Sequence, residues 1–332
     1  MKIAKRIIKI AAIALISIVV LLLAFNLVLN IMYYDFFSNT NSTGEVPGIS
    51  DGFVQQGLDY CDGVFLASGY MKDKSASRIY IMRDGETVGY TALAKADGSP
   101  YTAHAGGVTH FGEYVYVAGS SSGTFDVFML SDVLDGGDAK LVGKVDTFNA
   151  PAWVTVYNNE YILAGSFAEA NNPDYPPEDY EKITTPAGDE NVSLITVFKL
   201  DATKTESYGI DPTPVAVISS ANKIQGAYCL EGGRIITSSS WSIYSSEFRF
   251  YNFDKETKGE ITLEGATLPL YYLDSASLSS TVKGLPMAEE IVVLGDDMYI
   301  MNESACGKYI FGNLIGGREF YSYKITDEHF KK

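Results

Sequence analysis

The sequence predicts an all-β fold of repeated four-stranded antiparallel units behind a single N-terminal transmembrane helix. Three observations predict it. The chain has 332 residues, 46% of them hydrophobic and 13% aromatic, with 23 Tyr and 31 Gly. That is enough apolar material for a large core, in residue types that favour pleated sheets and tight turns. One phrase also recurs five times: a strand, a turn of Gly, Asp, Asn or Glu, a strand ending in Ser or Gly, a loop, a strand. It is plainest from Gly106 to Leu130, GGVTHFGEYVYVAGSSSGTFDVFML, where apolar and small residues alternate with period two between glycines. Finally, a long apolar run stands near the N-terminus.

That run, Ile10 to Met32, is interrupted only by Ser17, Asn26 and Asn30. As a helix it spans roughly 35 Å, enough to cross a bilayer. Lys2, Lys5, Arg6 and Lys9 precede it, and the next basic residue is Lys72. This asymmetry places residues 1–9 in the cytoplasm and everything after Tyr33 outside, as in a single-pass plasma-membrane protein. A cleaved signal peptide is the rival reading. It calls for a shorter apolar stretch and a small-x-small site, whereas Leu27 to Phe37 reads LVLNIMYYDFF and no Cys follows for lipidation. Residues 33–50 are polar with Pro47 and Gly48, and read as a stalk. Residues 51–332 then form the repeat domain.

The units begin QGLDYCDGVFLASGYM, then the Gly106 stretch, PAWVTVYNNEYILAGSF, QGAYCLEGGRIITSSSW and AEEIVVLGDDMYIMNES, the last followed by KYIFGNL as its third strand. Fourth strands are expected at Val88 to Leu93, Ala139 to Val145, Pro214 to Ile218 and Gly259 to Leu263. A four-stranded period of about 45 residues is the blade of a β-propeller. Five blades are visible, and a sixth is possible only as a degenerate unit within Asp254 to Pro286. Two separate β-domains fit less well, because no linker interrupts the series. The pattern resembles the broad group of bacterial β-propeller proteins that includes the lactonase-like and NHL-type families. The resemblance is architectural and implies no residue roles. Cys61 and Cys229 fall near the ends of first strands and Cys306 follows a second strand, so free thiols are expected, or one Cys61–Cys229 bond at best.

A net charge of −16 excludes a nucleic-acid partner, which needs a basic footprint. Candidate functional residues gather at one end of the blades, here the top, where first strands begin and second strands end. Pairing across tight turns sets Glu289 and Glu290 opposite Asn302 and Glu303, Gln225 opposite Ser239 and Ser240, Gln56 near Ser68 and Gly69, and His104 near Ser120 and Ser121. Carboxylates about 5 Å apart across strands either raise a pKa or hold a cation. Glu289, Glu290 and Glu303 are therefore candidates for a Ca²⁺ site or an acid/base pair, or some of them simply face solvent or bond backbone groups at the rim. His104 is a candidate base or ligand contact, or a hydrogen-bonded strand-end histidine. His110 lies roughly 20 Å along the strand from it, and His329 sits in the C-terminal tail, so no multi-histidine metal site is expected.

Two insertions, Glu169 to Asn191 and Ala266 to Pro286, point to the same end and carry Tyr175, Tyr180, Tyr271 and Tyr272. Trp241, Tyr70 and Tyr101 lie near strand ends there and suit flat ligand faces. The leading reading is a protein that binds a small polar or carbohydrate ligand through Gln56, His104, Gln225, Trp241, Glu290, Asn302 and Glu303, with Ca²⁺. The alternative is a glycosidase- or lactonase-like hydrolase using Glu289, Glu290 or Glu303 with His104. A third is a scaffold for another envelope protein. Gly119 to Gly123 spells G-x-S-x-G without the following helix of a nucleophile elbow, and Asp132 to Asp138 lacks EF-hand spacing.

Overall fold

The computed structural model describes residues 2–119, 122–253, 259–309 and 311–332, which form five blades around one axis. Each inner strand runs downward from the top: Phe53–Cys61, Ala105–Phe111, Pro151–Tyr157, Ile224–Leu230 and Ala288–Leu294. Second strands return as Val64–Met71, Tyr114–Gly119, Tyr161–Ser166, Arg234–Ser239 and Asp297–Asn302. Their apolar residues do not fill the axis. They form clusters between neighbouring blades, such as Val108, Val117, Leu66 and Ile79 between blades 1 and 2, or Ile236, Phe248, Ile291 and Ile300 between blades 4 and 5. Each blade is thus a sheet with both faces buried, and the ring is a closed stack of sandwiches.

The ring is closed by a strand the sequence reading placed in a stalk. Thr40–Glu45 pairs antiparallel with Glu319–Lys324 and becomes the outer strand of blade 5. The third strand of that blade is Glu319–Lys324 and not KYIFGNL, in which Phe311–Leu314 is a 3₁₀ turn. Ahead of the closing strand stand α1 (Lys2–Met32) and α2 (Tyr34–Asn39). Backbone bonds of 2.9 Å, Tyr33 N to Leu29 O and Phe37 N to Tyr33 O, carry the helix through the junction. Within α1, Lys5–Met32 is long and apolar enough to cross a membrane. Phe36 on α2 is fully buried against Phe248, Tyr321 and Tyr323.

Two outer strands differ from expectation for one reason. The connection from third to outer strand in blades 2 and 4 first visits the preceding blade. After α3 (Leu130–Asp135), Gly137–Lys140 pairs in parallel with Glu86–Ala94 of blade 1, and only then does Gly143–Asp146 complete blade 2. The run expected as one strand, 139–145, is therefore split between two sheets. Likewise Gly259–Leu263 forms a hairpin with Ala266–Tyr272, which pairs in parallel with Ile210–Ser220 of blade 3. The outer strand of blade 4 is Leu278–Gly284. Both excursions cover an open sheet edge, and the second occupies the stretch where a sixth blade was possible. All three cysteines are free.

Every inner strand has a β-bulge near its top, between Gln55 and Gly57, Ala105 and Val108, Pro151 and Trp153, Ile224 and Gly226, and Ala288 and Ile291. A bulge adds one residue to one strand and re-aims its neighbours. It also corrects the expected register: Asn302 pairs with Ala288, Ser239 with Ile224, and Gln225 and Gln56 are the inserted residues.

Candidate functional site

The bulges decide what each acidic residue at the top of the axis can do. Gly57, Gly107 and Gly226 occupy equivalent bulge positions, and a Cβ on any of them would meet a neighbouring blade (Val108 N, Trp153 Cα and Glu290 Cα respectively) at 2.6 Å. In blade 5 the equivalent residue is Glu290, whose side chain fills the space those glycines leave. A Cβ at Gly107 would lie 2.4 Å from its Oε1, and one at Gly226 would lie 2.6 Å from its Cα. The Glu290 carboxylate accepts backbone amides from three other blades: Leu58 N and Val108 N at 2.8 Å on Oε2, Val154 N at 3.0 Å on Oε1. Burial pushes its pKa well above the ordinary value, and the three amide donors act in the opposite sense. Its lone pairs are committed to the ring, which is the rim-bonding role weighed from sequence.

Glu289, the adjacent residue, is different. It is 3% exposed and its Oε1 has no hydrogen-bond partner. Asn302, fully buried, has neither its Oδ1 nor its Nδ2 partnered, and the Gln55 Oε1 is likewise unmet. Burial, then the neighbouring Glu303 and Glu290 carboxylates, raise the Glu289 pKa well above normal. Such a carboxyl is held protonated, a donor as well as an acceptor.

Glu303 continues the cluster outward. It accepts from the Tyr70 hydroxyl at 3.3 Å and from the Gln56 side chain. Lys308 donates to the Tyr70 hydroxyl at 3.0 Å, and Tyr70 packs on His104 with ring centroids 4.7 Å apart. Burial raises Glu303 to about 7, opposed by Lys308 and the Tyr70 and Gln56 bonds. Crowding around the His104 imidazole, then the Lys308 charge, lower its pKa to about 4, although the residue as a whole keeps solvent contact. Lys308 and Tyr309 belong to the long connection that follows the second strand of blade 5 and cover this group.

The structure thus gathers Gln56, Glu289, Glu290, Asn302 and Glu303, with His104 at the edge through Tyr70. Trp241 lies apart, between blades 3 and 4, where it packs with Phe167 and Tyr175 at 5.7 and 5.4 Å and pins the Glu169 to Asn191 insertion. Gln225 is half-buried at the blade 4 bulge. Ser120 and Ser121, expected beside His104, lie outside the described residues. Among the described residues no group of three or more His, Cys, Asp or Glu is placed to hold a metal ion. With Glu290 taken up by amides, the calcium reading of the three glutamates does not carry over to the folded chain.

Sequence reasoning missed Lys308, Tyr309 and Gln55, and a second group at the bottom of the axis. There Asp59 Oδ2 lies 2.6 Å from His110 Nδ1, beside a cavity of about 290 Å³ that also meets Thr109, Thr155 and Tyr228. Despite burial, the Asp59 carboxylate holds the His110 pKa up, at about 10. Aligning Leu58 with Val108 puts Asp59 one residue from His110 on adjacent inner strands, which is the signal that could have found the pair.

No protein-family model matches the sequence, and the curated proteins compared give no match. Solved structures similar to the chain include glutaminyl cyclase from Myxococcus xanthus, at 12% identity and TM-score 0.42, covering 79% of this chain and 90% of that one. The PQQ-bound aldose sugar dehydrogenase from Streptomyces coelicolor shows 13% identity, TM-score 0.43, and coverage of 85% and 95%. An exo-β-1,3-galactanase from Phanerochaete chrysosporium shows 12% identity, TM-score 0.45, and coverage of 86% and 64%. The chain's own strand pairing makes it a five-bladed β-propeller.

Proposed function

We propose that this chain is a membrane-anchored, extracytoplasmic propeller that binds a small, neutral, hydroxyl-bearing ligand at the top of its axis. The observation that carries this reading is the set of unmet polar atoms, Glu289 Oε1, Asn302 Oδ1 and Nδ2 and Gln55 Oε1. Buried polar atoms are almost always paired, so a set of them at one place argues for an occupant. A protonated carboxyl and an amide offer donors and acceptors without net charge, which suits a sugar or polyol better than an ion. Tyr70, Tyr309 and His104 supply flat faces beside them.

The test is isothermal titration of the purified full-length chain against a panel of monosaccharides and polyols. Binding that is lost in an Asn302→Leu variant of unchanged stability supports the reading. The same panel giving no heat with the wild type, while ordered water fills the cluster in a crystal structure, would overturn it. A hydrolase at the same place is the second reading, favoured by the neighbouring Glu289 and Glu303 carboxyls, the second raised by burial to about 7. It expects turnover of a bound glycoside or lactone that is abolished by Glu303→Gln with binding retained.

A further inference from the structure

The helix leaves the ring at its top. The closing strand rises from Thr40, opposite Tyr323, to Glu45, opposite Glu319 at the upper end of its partner. Before it, α2 runs the other way along blades 4 and 5, so Tyr33 is at the upper end. The Tyr33 hydroxyl lies 3.1 Å from Ser245 Oγ, one residue above the third strand of blade 4. Because helical bonds continue from Leu29 through Phe37, α1 extends on past that end.

Beside Ser245 is a turn that exposes apolar side chains. Tyr244 N donates to Trp241 O at 3.3 Å, and Ser242 has φ 57°, which turns the chain outward. Ile243 is 67% and Tyr244 69% exposed. Ile243 is two residues from Ser245, so its Cα lies within about 7 Å of that contact. The turn is held from below by the Trp241, Phe167 and Tyr175 rings. Tyr34 at the head of α2 and Leu314 on the top connection of blade 5 are also exposed, at 68% and 62%. The nearest charges on the strand that follows the turn, Arg249 and Glu247, pair at 2.7 Å.

We propose that the Trp241–Tyr244 turn is a second membrane contact. Ile243 inserts at the acyl boundary, Tyr244 and Tyr34 sit at headgroup level, and the blade 4–blade 5 edge of the top face touches the bilayer while the mouth of the axis stays in water. Tyr at headgroup level beside an apolar residue at the acyl boundary is the pattern of an interfacial anchor. The occupant is the lipid surface because the turn stands beside the point where a membrane-length helix leaves the fold. The inference rests on α1 being retained as an anchor.

The experiment uses the full-length chain in liposomes, with the Cys229→Ser background and an environment-sensitive fluorophore on Ile243→Cys. A matched label on Val88→Cys, 56% exposed on the outer strand of blade 1, is the water-facing reference. The expected result is a blue-shifted emission at position 243, with most of its intensity lost to shallow doxyl-labelled lipid and no loss at position 88. Resistance to alkaline carbonate is measured on the same liposomes. If the chain is extracted, the anchor reading fails and the contact with it. If it is retained and position 243 emits like position 88, the contact alone fails. A shielded label that doxyl lipid does not quench means the turn meets protein, which also overturns the proposal.

Discussion

Glu290 is the residue on which the ring turns, and its role follows from counting donors. Three amides converge on one carboxylate at the axis. Leaving a buried amide unmet costs about 1–3 kcal/mol. Glu290→Gln replaces one acceptor oxygen by a donor and is expected to lose about 1–3 kcal/mol; Glu290→Ala, which orphans all three, loses more. Denaturant unfolding decides this, and an unchanged midpoint for the alanine variant would remove the pin. Glu303 makes a different prediction. Its folded pKa is about 7 against an ordinary 4.5, so the folded state holds its proton more tightly than the unfolded chain. Its contribution to stability is complete below pH 4.5 and is lost as the pH rises to about 7, by at most about 3 kcal/mol. Glu303→Gln should flatten that part of the pH–stability curve. The sequence showed that these glutamates share one hairpin. It could not separate pin from pocket, because the difference lies in bulges that shift the register by one residue and in amides donated by three other blades.

Inner and second strands were legible because turn chemistry and period-two alternation are local signals. Outer strands were legible in blades 1 and 3, where Glu86–Ala94 and Ile210–Ser220 contain the expected runs, but not in blades 2, 4 and 5. Leu278–Gly284 reads LSSTVKG, with little apolar pattern of its own, and belongs to blade 4 only through pairing with Ser246–Asn252. Gly259–Leu263 looks more like a strand and is one, but on the edge of blade 3. Loop-to-blade contacts were equally hidden. Trp241, a candidate ligand contact, packs on Phe167 and Tyr175 and so holds the Glu169 to Asn191 insertion. Each aromatic pair contributes about 0.5–1.5 kcal/mol beyond its buried area. Trp241→Ala is therefore expected to speed limited proteolysis within that insertion by roughly tenfold or more while leaving the ring folded; equal cleavage rates would show that the rings do not hold it.

At the scale of the whole molecule, stability comes from contacts between neighbouring blades closed into a circle. Phe36, from a helix outside the repeat, plugs the joint between blades 4 and 5. Phe36→Ala removes a fully buried ring and is expected to cost about 3–5 kcal/mol, read from denaturant unfolding. Since all three thiols are free, adding a reductant should leave the melting temperature unchanged. The repeat let the sequence foresee the circle, but not its clasp, because Thr40–Glu45 (TNSTGE) carries no apolar alternation.

That clasp has a consequence for how such a protein could be shed. A peptidase trimming the chain ahead of Tyr33 would liberate an intact, soluble ring that still carries its plug and its seal. A cut between Asn39 and Thr40 would strip away α2 and its plug, so the site of scission decides whether the released body persists or comes apart at that joint.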